Sequence, residues 1–371
     1  MKERRSGLEL LRVISILMII CIHAFGLLLD VKISPIGMKT TFFINSVCNI
    51  GVSCFVLISG YFGVKRDFRK ILRLELMVIF FSLCTTAGLA AAFPETYRGA
   101  ELFELLIKSC IPVISRKHWF YTCYICLLLL SPWINEALDR MTRRQHEGLL
   151  LTMFILFSVC PSFFYFEIMQ DGRKGLMNML LMYVMGRYIG KYMNFKMDRK
   201  KGILAFAVLA AICYFSVTHQ ISIGGIRHSF TKDNSVVNVG MAVILLYLFK
   251  DMQWHSRMIN RIASHVFGIY ILNVPVLQLL HAFVFQMADG KLETNWFPIW
   301  MLLETLTAFM IGLIVDILRE LLLGKTAERL IGMGEAMWNR IGADRLRRWG
   351  SKMTGFFMRK EEREKEMVVR K

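Results

Sequence analysis

Apolar runs of about twenty residues, separated by short polar segments, repeat along the whole chain. As an α-helix, a run of this length crosses a bilayer and satisfies its own backbone hydrogen bonds in lipid. We predict ten such spans, at residues 8–29, 41–63, 72–93, 118–134, 148–166, 175–193, 203–217, 235–249, 262–287 and 296–318. The predicted fold class is therefore all-α, a polytopic integral membrane helical bundle of about ten transmembrane helices.

The charges of the connecting segments predict an orientation. Lys and Arg concentrate after the second, fourth, sixth, eighth and tenth spans, most densely in residues 65–73. Because cytoplasmic loops are enriched in Lys and Arg, we predict a protein of the cell (cytoplasmic) membrane with both termini in the cytoplasm. Segments 94–117 and 218–234 are then external, and LFELLIK in the first of them is predicted to be a short interfacial helix.

Composition favours a membrane protein over a nucleic-acid-binding one. The chain is 55% hydrophobic, with a mean hydropathy of +0.47. Its formal charge of +18 comes from basic clusters between apolar spans, so membrane topology accounts for it and no nucleic-acid partner is predicted. The oligomeric state is not predicted by these features.

Two short motifs inside apolar spans are interpreted as packing features. The nine cysteines lie mostly in apolar runs without the spacing of a disulfide framework, and the CxxC of Cys123 and Cys126 is typical of core packing. No metal site is predicted. Gly186 and Gly190 form a GxxxG within the sixth span, which indicates close helix packing rather than a phosphate loop.

The chain divides into two parts by composition. Residues 1–323 form the predicted membrane domain, and residues 324–371 form a basic cytoplasmic tail. Aromatic and apolar residues are interleaved with the basic ones in this tail. We expect the tail to be partly amphipathic or disordered, with membrane lipids as its partner.

The first span is unusual because it carries both Arg12 and His23. On a helix these residues lie roughly 16 Å apart along the axis and within about 20° of the same face. Glu9 precedes Arg12 by three residues and is predicted to pair with it. An ionisable group inside a membrane is a functional hypothesis by default, although His23 also fits a neutral core histidine bonded to a neighbouring helix.

The other candidate residues also have two interpretations. Arg12, Arg66 and Arg69 would meet at the cytoplasmic face, where guanidinium groups suit phosphates, but the positive-inside rule also explains basic residues there. His23 could serve as a general base. Glu304 in the tenth span could orient an imidazole or an acceptor hydroxyl, or be a protonated acid bonded to a neighbouring helix. The ninth-span histidines, His265 and His281, are predicted to be packing or interfacial residues.

Several motifs together carry a family resemblance. LELLRVISILMIICIHA contains an Arg and a His with ten residues between them, and GVSCFVLISGYF is followed after three residues by an RxxR. The positions concerned are Arg12, His23, Gly51, Phe55, Ser59, Gly60, Arg66 and Arg69. In combination these motifs resemble the acyltransferase-3 family of integral membrane acyltransferases. HWFYTCYICLLLLSPWIN and YVMGRYIGKY are similar to weaker family patterns, and FGIYILNVPVL resembles a ninth-span stretch with Asn273 where the family commonly has His.

The resemblance implies an enzyme of the stand-alone O-acetyltransferase type. Its donor would be acyl-coenzyme A, usually acetyl-coenzyme A, with its phosphates bound by Arg12, Arg66 and Arg69 and with His23 serving the transfer. We also predict Ser59 as a donor-binding residue and Glu304 as a catalytic residue. The acceptor would be a hydroxyl of a cell-surface glycan or its lipid-linked precursor. The alternative is a polytopic transporter or flippase in which His23 and Glu304 are substrate or proton-relay residues. The sequence shows no clear inverted repeat that would favour it.

Overall fold

The computed structural model describes residues 5–26, 33–65, 67–164, 175–223, 226–286 and 291–369, with the side chains of residues 221–227, 292 and 338–369 left aside. Within these ranges the helices are α1 (Ser6–Gly26), α2 (Pro35–Cys48), α3 (Gly51–Phe62), α4 (Phe68–Ala92), α5 (Gly99–Cys110), α6 (Trp119–Arg140), α7 (Arg143–Phe154), α8 (Cys160–Phe163), α9 (Leu176–Tyr192), α10 (Arg199–Thr218), α11 (Val236–Lys250), α12 (Arg257–Leu279) and α13 (Phe297–Val369). Five-residue π-helical turns extend α7 and α12, at Ile155–Val159 and Leu280–Val284, and Lys291–Glu293 is a 3-10 turn.

The all-α membrane bundle predicted from the sequence is confirmed. In the described part of the chain, seven helical stretches are long and apolar enough to cross a membrane: Ser6–Gly26, Pro35–Phe62, Phe68–Ala92, Arg143–Phe163, Arg199–Thr218, Arg257–Val284 and Phe297–Met337. Of the other predicted spans, α9 and α11 have only 17 and 15 residues. The Trp, Tyr and Pro residues of α6 lower its hydropathy. The count of about ten therefore stays a prediction.

The predicted second span is two helices rather than one. Pro35 begins α2 beneath an N-cap formed by Ser34, whose Oγ accepts a hydrogen bond from the Gly37 N–H at 3.0 Å. The chain then turns at Asn49, whose side-chain amide donates to the Thr231 carbonyl and to Asp233 Oδ1. This break has a tertiary cause, because the residues that hold Asn49 come from the distant segment 218–234.

Other predicted boundaries shift by a few residues. The segment LFELLIK is helical, as predicted, and belongs to the longer helix α5. Segment 218–234, predicted to be a polar loop, contains two short antiparallel strands, β1 (Ile221–Ile223) and β2 (Ile226–His228). Residues 27–29, 165–166 and 287 of the predicted spans lie outside the described residues.

The chain forms two compact units, which are described separately. The first comprises Met1–Arg66 and Met77–Arg319, and the second comprises Asp67–Leu76 and Glu320–Lys371. The boundary predicted at residue 323 lies inside α13 and stays a prediction.

Helix α1 has a central position in the first unit. It packs against α2, α3, α11 and α12, and its Leu11, Ile16 and Ile20 are fully buried. Outer helices instead expose apolar side chains, such as Ile203 and Leu204 of α10, as expected of surfaces that face lipid. Arg12 and His23 therefore lie on a helix inside the bundle.

Glycines bring α3 and α9 into direct backbone contact. A Cβ atom on Gly186 would lie 2.3 Å from the Leu57 carbonyl oxygen, and one on Gly190 would lie 2.5 Å from the Tyr61 carbonyl oxygen. From the opposite helix, a Cβ on Gly60 would meet the Tyr183 carbonyl oxygen. The packing interpretation of this GxxxG is thus confirmed.

Candidate functional site

The start of α1 is fixed against two later helices. Ser6 Oγ donates to Asn260 Oδ1 at 3.1 Å and accepts a hydrogen bond from the Ser256 N–H at 2.9 Å. Gly7 has no room for a Cβ, which would lie 2.4 Å from the Phe249 carbonyl oxygen. These contacts set the depth of α1 in the bundle, and with it the depth of the candidate residues Arg12 and His23.

Arg12 is oriented by the pair that its spacing predicts. Its Nη1 lies 3.1 Å from Glu9 Oε1 and 3.2 Å from Glu9 Oε2, so the predicted contact is confirmed. The Glu9 side chain is 6% exposed and the Arg12 side chain 28% exposed. Arg12 therefore has a buried counter-ion and a guanidinium that is still partly accessible.

His23 contacts α12 directly through a hydrogen bond. Its Nδ1 is 2.6 Å from Asn273 Oδ1, and Asn273 is only 2% exposed. Because α1 is continuous from Ser6 to Gly26, His23 stands roughly 16 Å above Arg12 along the axis. The imidazole that the sequence predicts inside the membrane is thus held by a polar side chain of a neighbouring helix.

Helices α2 and α13 surround the same part of α1. Cys21 lies in a buried cluster with Cys48 of α2 and Met301 of α13. The Phe25 ring packs edge-on against Phe297, with centroids 5.6 Å apart. The C-terminal half of α1 is therefore packed against apolar side chains and the Cys48 thiol.

Glu304 of α13 is completely buried. Its Oε1 lies 3.6 Å from Nδ1 of His281, which exceeds a hydrogen-bond distance. Neither carboxylate oxygen accepts a hydrogen bond from any described residue. Burying such a group is costly without a partner, so this position has unused capacity to bind a hydroxyl. The imidazole nearest to Glu304 belongs to His281, which sequence reasoning had treated as packing or interfacial.

The end of α3 lies beside the start of α1. Arg5 Nη1 donates to the Tyr61 hydroxyl at 2.8 Å. Arg187 of α9 also reaches this end, because a Cβ on Gly63 would lie 2.4 Å from its Nη1. Arg187 is paired with Asp139 at 2.6 Å, and sequence reasoning did not select it. Ser59, a predicted donor-binding residue on α3, donates its hydroxyl to the Phe55 carbonyl at 2.9 Å.

Only the second arginine of the RxxR motif, Arg69, is among the described residues. Arg66 lies outside the described residues, whereas Arg69 belongs to the second unit. There Arg69 Nη2 lies 3.4 Å from Glu328 Oε2 and its Nη1 lies 3.7 Å from Glu335 Oε2. Arg73 Nη2 lies 2.5 Å from Glu328 Oε1. These arginines thus face carboxylates of α13, which are the side chains that most resemble phosphate oxygens in charge.

A buried ionic network on α12 and α13 was missed by the sequence reasoning. Asp316 is 2% exposed and accepts from His265 Nδ1 and from Arg319 Nε, both at 2.7 Å. Gly268 provides the room, because a Cβ there would lie 2.4 Å from the Asp316 carboxyl carbon. In the sequence, Asp316 is only a residue near the end of a predicted span. Its hydrogen bond with His265 shows that it links α12 to α13.

Lys117 lies in the segment predicted to be external. Its Nζ donates to Thr86 Oγ1 at 2.6 Å and to Ser109 Oγ at 2.5 Å. Burial lowers the pKa of Lys117 from 10.5 to about 8, an effect that the nearby Cys110 opposes. This amine is therefore held by neutral hydroxyls.

Comparison with known proteins adds a single finding. A family model described as an acyltransferase domain, that of the acyltransferase-3 family, matches residues 5–319. No curated protein and no solved structure matches the chain. The matched range contains α1 with Arg12 and His23, the α12 residue Asn273, and Glu304.

Proposed function

Since the chain belongs to the acyltransferase-3 family and is a multi-pass membrane acyltransferase, we propose that it moves an acetyl group from acetyl-coenzyme A to a hydroxyl of a cell-surface glycan or its lipid-linked precursor. The observation that carries this proposal is the imidazole of His23, which is hydrogen-bonded to the buried Asn273 of α12 and lies on the same helix as the partly accessible Arg12. An enzyme that transfers acyl groups to hydroxyls needs such a base. The family match favours an enzyme over the transporter or flippase considered from the sequence.

The donor enters from the cytoplasmic face. Arg12, Arg66 and Arg69 bind the phosphates of coenzyme A, because guanidinium groups keep their charge and present paired donors to phosphate oxygens. Ser59 of α3 also binds the donor in this proposal. From Arg12 to His23 the distance along the helix is roughly 16 Å, so only an extended arm, such as that of coenzyme A, brings a thioester to the imidazole.

The transfer itself needs one proton to move twice. His23 takes the proton of the acceptor hydroxyl as its oxygen attacks the thioester carbonyl carbon. The carbon–sulfur bond then breaks, and the imidazolium returns the proton to the departing thiolate of coenzyme A. An ester on the acceptor and free coenzyme A are the products, and His23 ends in its starting state.

Glu304 binds the acceptor in this proposal. Its buried oxygens accept no hydrogen bond from described residues and so can accept one from a sugar hydroxyl. Both termini are cytoplasmic in the proposed orientation, with segments 94–117 and 218–234 on the acceptor side. The protein resides in the cell membrane, where the acceptor glycan faces outwards.

The test compares two histidine variants in cells and with purified protein. His23→Ala should lower acetyl transfer by roughly 100-fold to 10,000-fold, because removal of a general base typically costs that much. His255→Ala is the matched control, since His255 is exposed in the connection before α12. Mass spectrometry of surface glycans detects the acetyl groups, and immunoblotting of membranes confirms equal protein. Full acetylation by His23→Ala would contradict the assignment.

A further inference from the structure

The amide of Asn273 has a defined orientation. Its Nδ2 donates to the backbone carbonyl of Tyr270 on the preceding turn of α12, while its Oδ1 lies 2.6 Å from Nδ1 of His23. A carbonyl oxygen can only accept, so the NH₂ group must be the side that faces Tyr270. The carbonyl oxygen of the amide is consequently the side that faces the imidazole.

This orientation decides which ring nitrogen of His23 carries the proton. An amide oxygen cannot donate, so a hydrogen bond of this length requires a hydrogen on Nδ1. In the neutral imidazole the lone pair is then on Nε2. We infer that Asn273 is a positioning residue that holds His23 in the Nδ1–H tautomer and so makes Nε2 the nitrogen that accepts the proton of the acceptor hydroxyl. The inference rests on the proposed function of His23 as the base.

The same contact serves both charge states of the ring. When Nε2 takes the proton of the hydroxyl, the imidazolium still has its hydrogen on Nδ1, and Asn273 Oδ1 still accepts it. The ring therefore needs no rotation between taking the proton and passing it from Nε2 to the departing thiolate. A positioning partner of this kind acts on the rate of the chemical step rather than on donor binding.

Asn273 is itself fixed by the helix that carries it. Asn273 is 2% exposed, and α12 is linked to α13 by the hydrogen bond from His265 to Asp316. Tyr270, which accepts from the amide, packs edge-on against Phe120 with ring centroids 5.2 Å apart. The acceptor oxygen presented to His23 thus belongs to a rigid part of the bundle.

Two variants of nearly equal size separate the hydrogen bond from packing. Asn273→Leu removes the acceptor oxygen and should lower kcat by about 100-fold, with the KM for acetyl-coenzyme A unchanged. Asn273→Asp keeps an oxygen acceptor for Nδ1 and should recover at least tenfold of that loss. Asn178→Leu is the control, because Asn178 is a buried asparagine of α9. It should keep kcat within about twofold.

The tautomer can be read directly with nitrogen-15 NMR of histidine-labelled protein in lipid, where the signal of His23 is identified by its loss in His23→Ala. We expect Nδ1 to be protonated and Nε2 to be unprotonated in the wild type, and Asn273→Leu to lose this preference. A wild-type His23 protonated on Nε2, or an unchanged kcat in Asn273→Leu, would overturn the inference. An active His23→Ala enzyme would instead refute the proposed function, and the NMR result would still decide the tautomer.

Discussion

Lys117 should react as an amine at a lower pH than an ordinary lysine. Burial among Thr86, Ser109 and the neighbouring backbone lowers its pKa from 10.5 to about 8, because the charged ammonium loses more hydration free energy on burial than the neutral amine does. Its uncharged form therefore becomes dominant above pH 8, whereas the unfolded chain needs a pH above 10.5. Pulse labelling with acetic anhydride over a pH series, read by peptide mass spectrometry, should show a midpoint at about 8.

The denatured protein provides the control for this labelling. In denaturant the midpoint of Lys117 should return to the ordinary value, because the hydroxyl groups and the burial are lost. An identical midpoint in both states would show that Lys117 is not desolvated.

At the scale of single residues, the sequence predicts partners that are near in the chain. The contact between Glu9 and Arg12 follows from three-residue spacing on one helix. The partner of His23 does not, because Asn273 is 250 residues away and its position depends on how α12 is rotated. Family resemblance marked position 273 only as a departure from the usual His. In the structure, Asn273 forms a hydrogen bond with His23 from this position.

Among the helices, the contact between α3 and α9 should be the least tolerant of added volume. Gly186→Ala would place a Cβ 2.3 Å from the Leu57 carbonyl oxygen and 2.8 Å from the Tyr61 nitrogen. Backbone atoms cannot move aside as a flexible side chain can, so we expect a loss of about 1–3 kcal/mol in the free energy of unfolding. Denaturation by detergent titration in mixed micelles measures it.

Gly88→Ala is the matched control for this substitution. Gly88 is also a helical glycine, on α4, but apart from its own helix backbone no atom of the described residues lies within 4 Å of its would-be Cβ. Its stability should stay equal or rise slightly, because alanine is the better helix former. Equal losses in the two variants would attribute the effect to helix propensity and not to the contact between α3 and α9.

The carboxylates of α13 should compete with the donor for the RxxR. Glu328 lies 3.4 Å from Arg69 and 2.5 Å from Arg73, and all three side chains are about half exposed. Pairs of this kind are worth up to about 1 kcal/mol. If Arg69 binds a phosphate of coenzyme A, Glu328→Gln should lower the KM for acetyl-coenzyme A by up to about fivefold.

An exposed pair elsewhere provides the comparison. Glu136→Gln breaks the contact with Arg140 on α6, at 2.5 Å, without touching the RxxR, and should leave this KM unchanged. If Glu328→Gln behaves in the same way, the Arg69 side chain does not meet the donor.

Helices were largely predictable because a segment inside lipid must satisfy its own backbone hydrogen bonds. The breaks within the predicted helices were not predictable, because contacts with distant parts of the chain cause them. Asn49 ends α2 with partners at Thr231 and Asp233, and the apolar pattern of residues 41–63 contains no sign of that contact. In the same way, the sequence shows Asp316 only as a residue near the end of a span. The structure shows its hydrogen bond with His265 and its close packing against Gly268.

For the whole molecule, the orientation predicted from basic residues can be tested by two accessible positions. Lys65 follows α3 and Lys232 precedes α11, and both side chains are exposed. In a variant without the native cysteines, Lys65→Cys should react with an impermeant maleimide only in inside-out vesicles. Lys232→Cys should react only in right-side-out vesicles. Labelling of both from one side would exclude the proposed topology.

The hydrogen bond between α1 and α12 also has a consequence for the order in which the protein is made. His23 leaves the ribosome 250 residues before Asn273. At about 5–20 residues per second, this interval is roughly 12–50 s. Throughout that time the growing chain carries its arginine and histidine in the membrane without the amide that selects the basic nitrogen. The proposed reaction centre is therefore completed late in synthesis, when α12, the second-to-last long helix of the described chain, inserts.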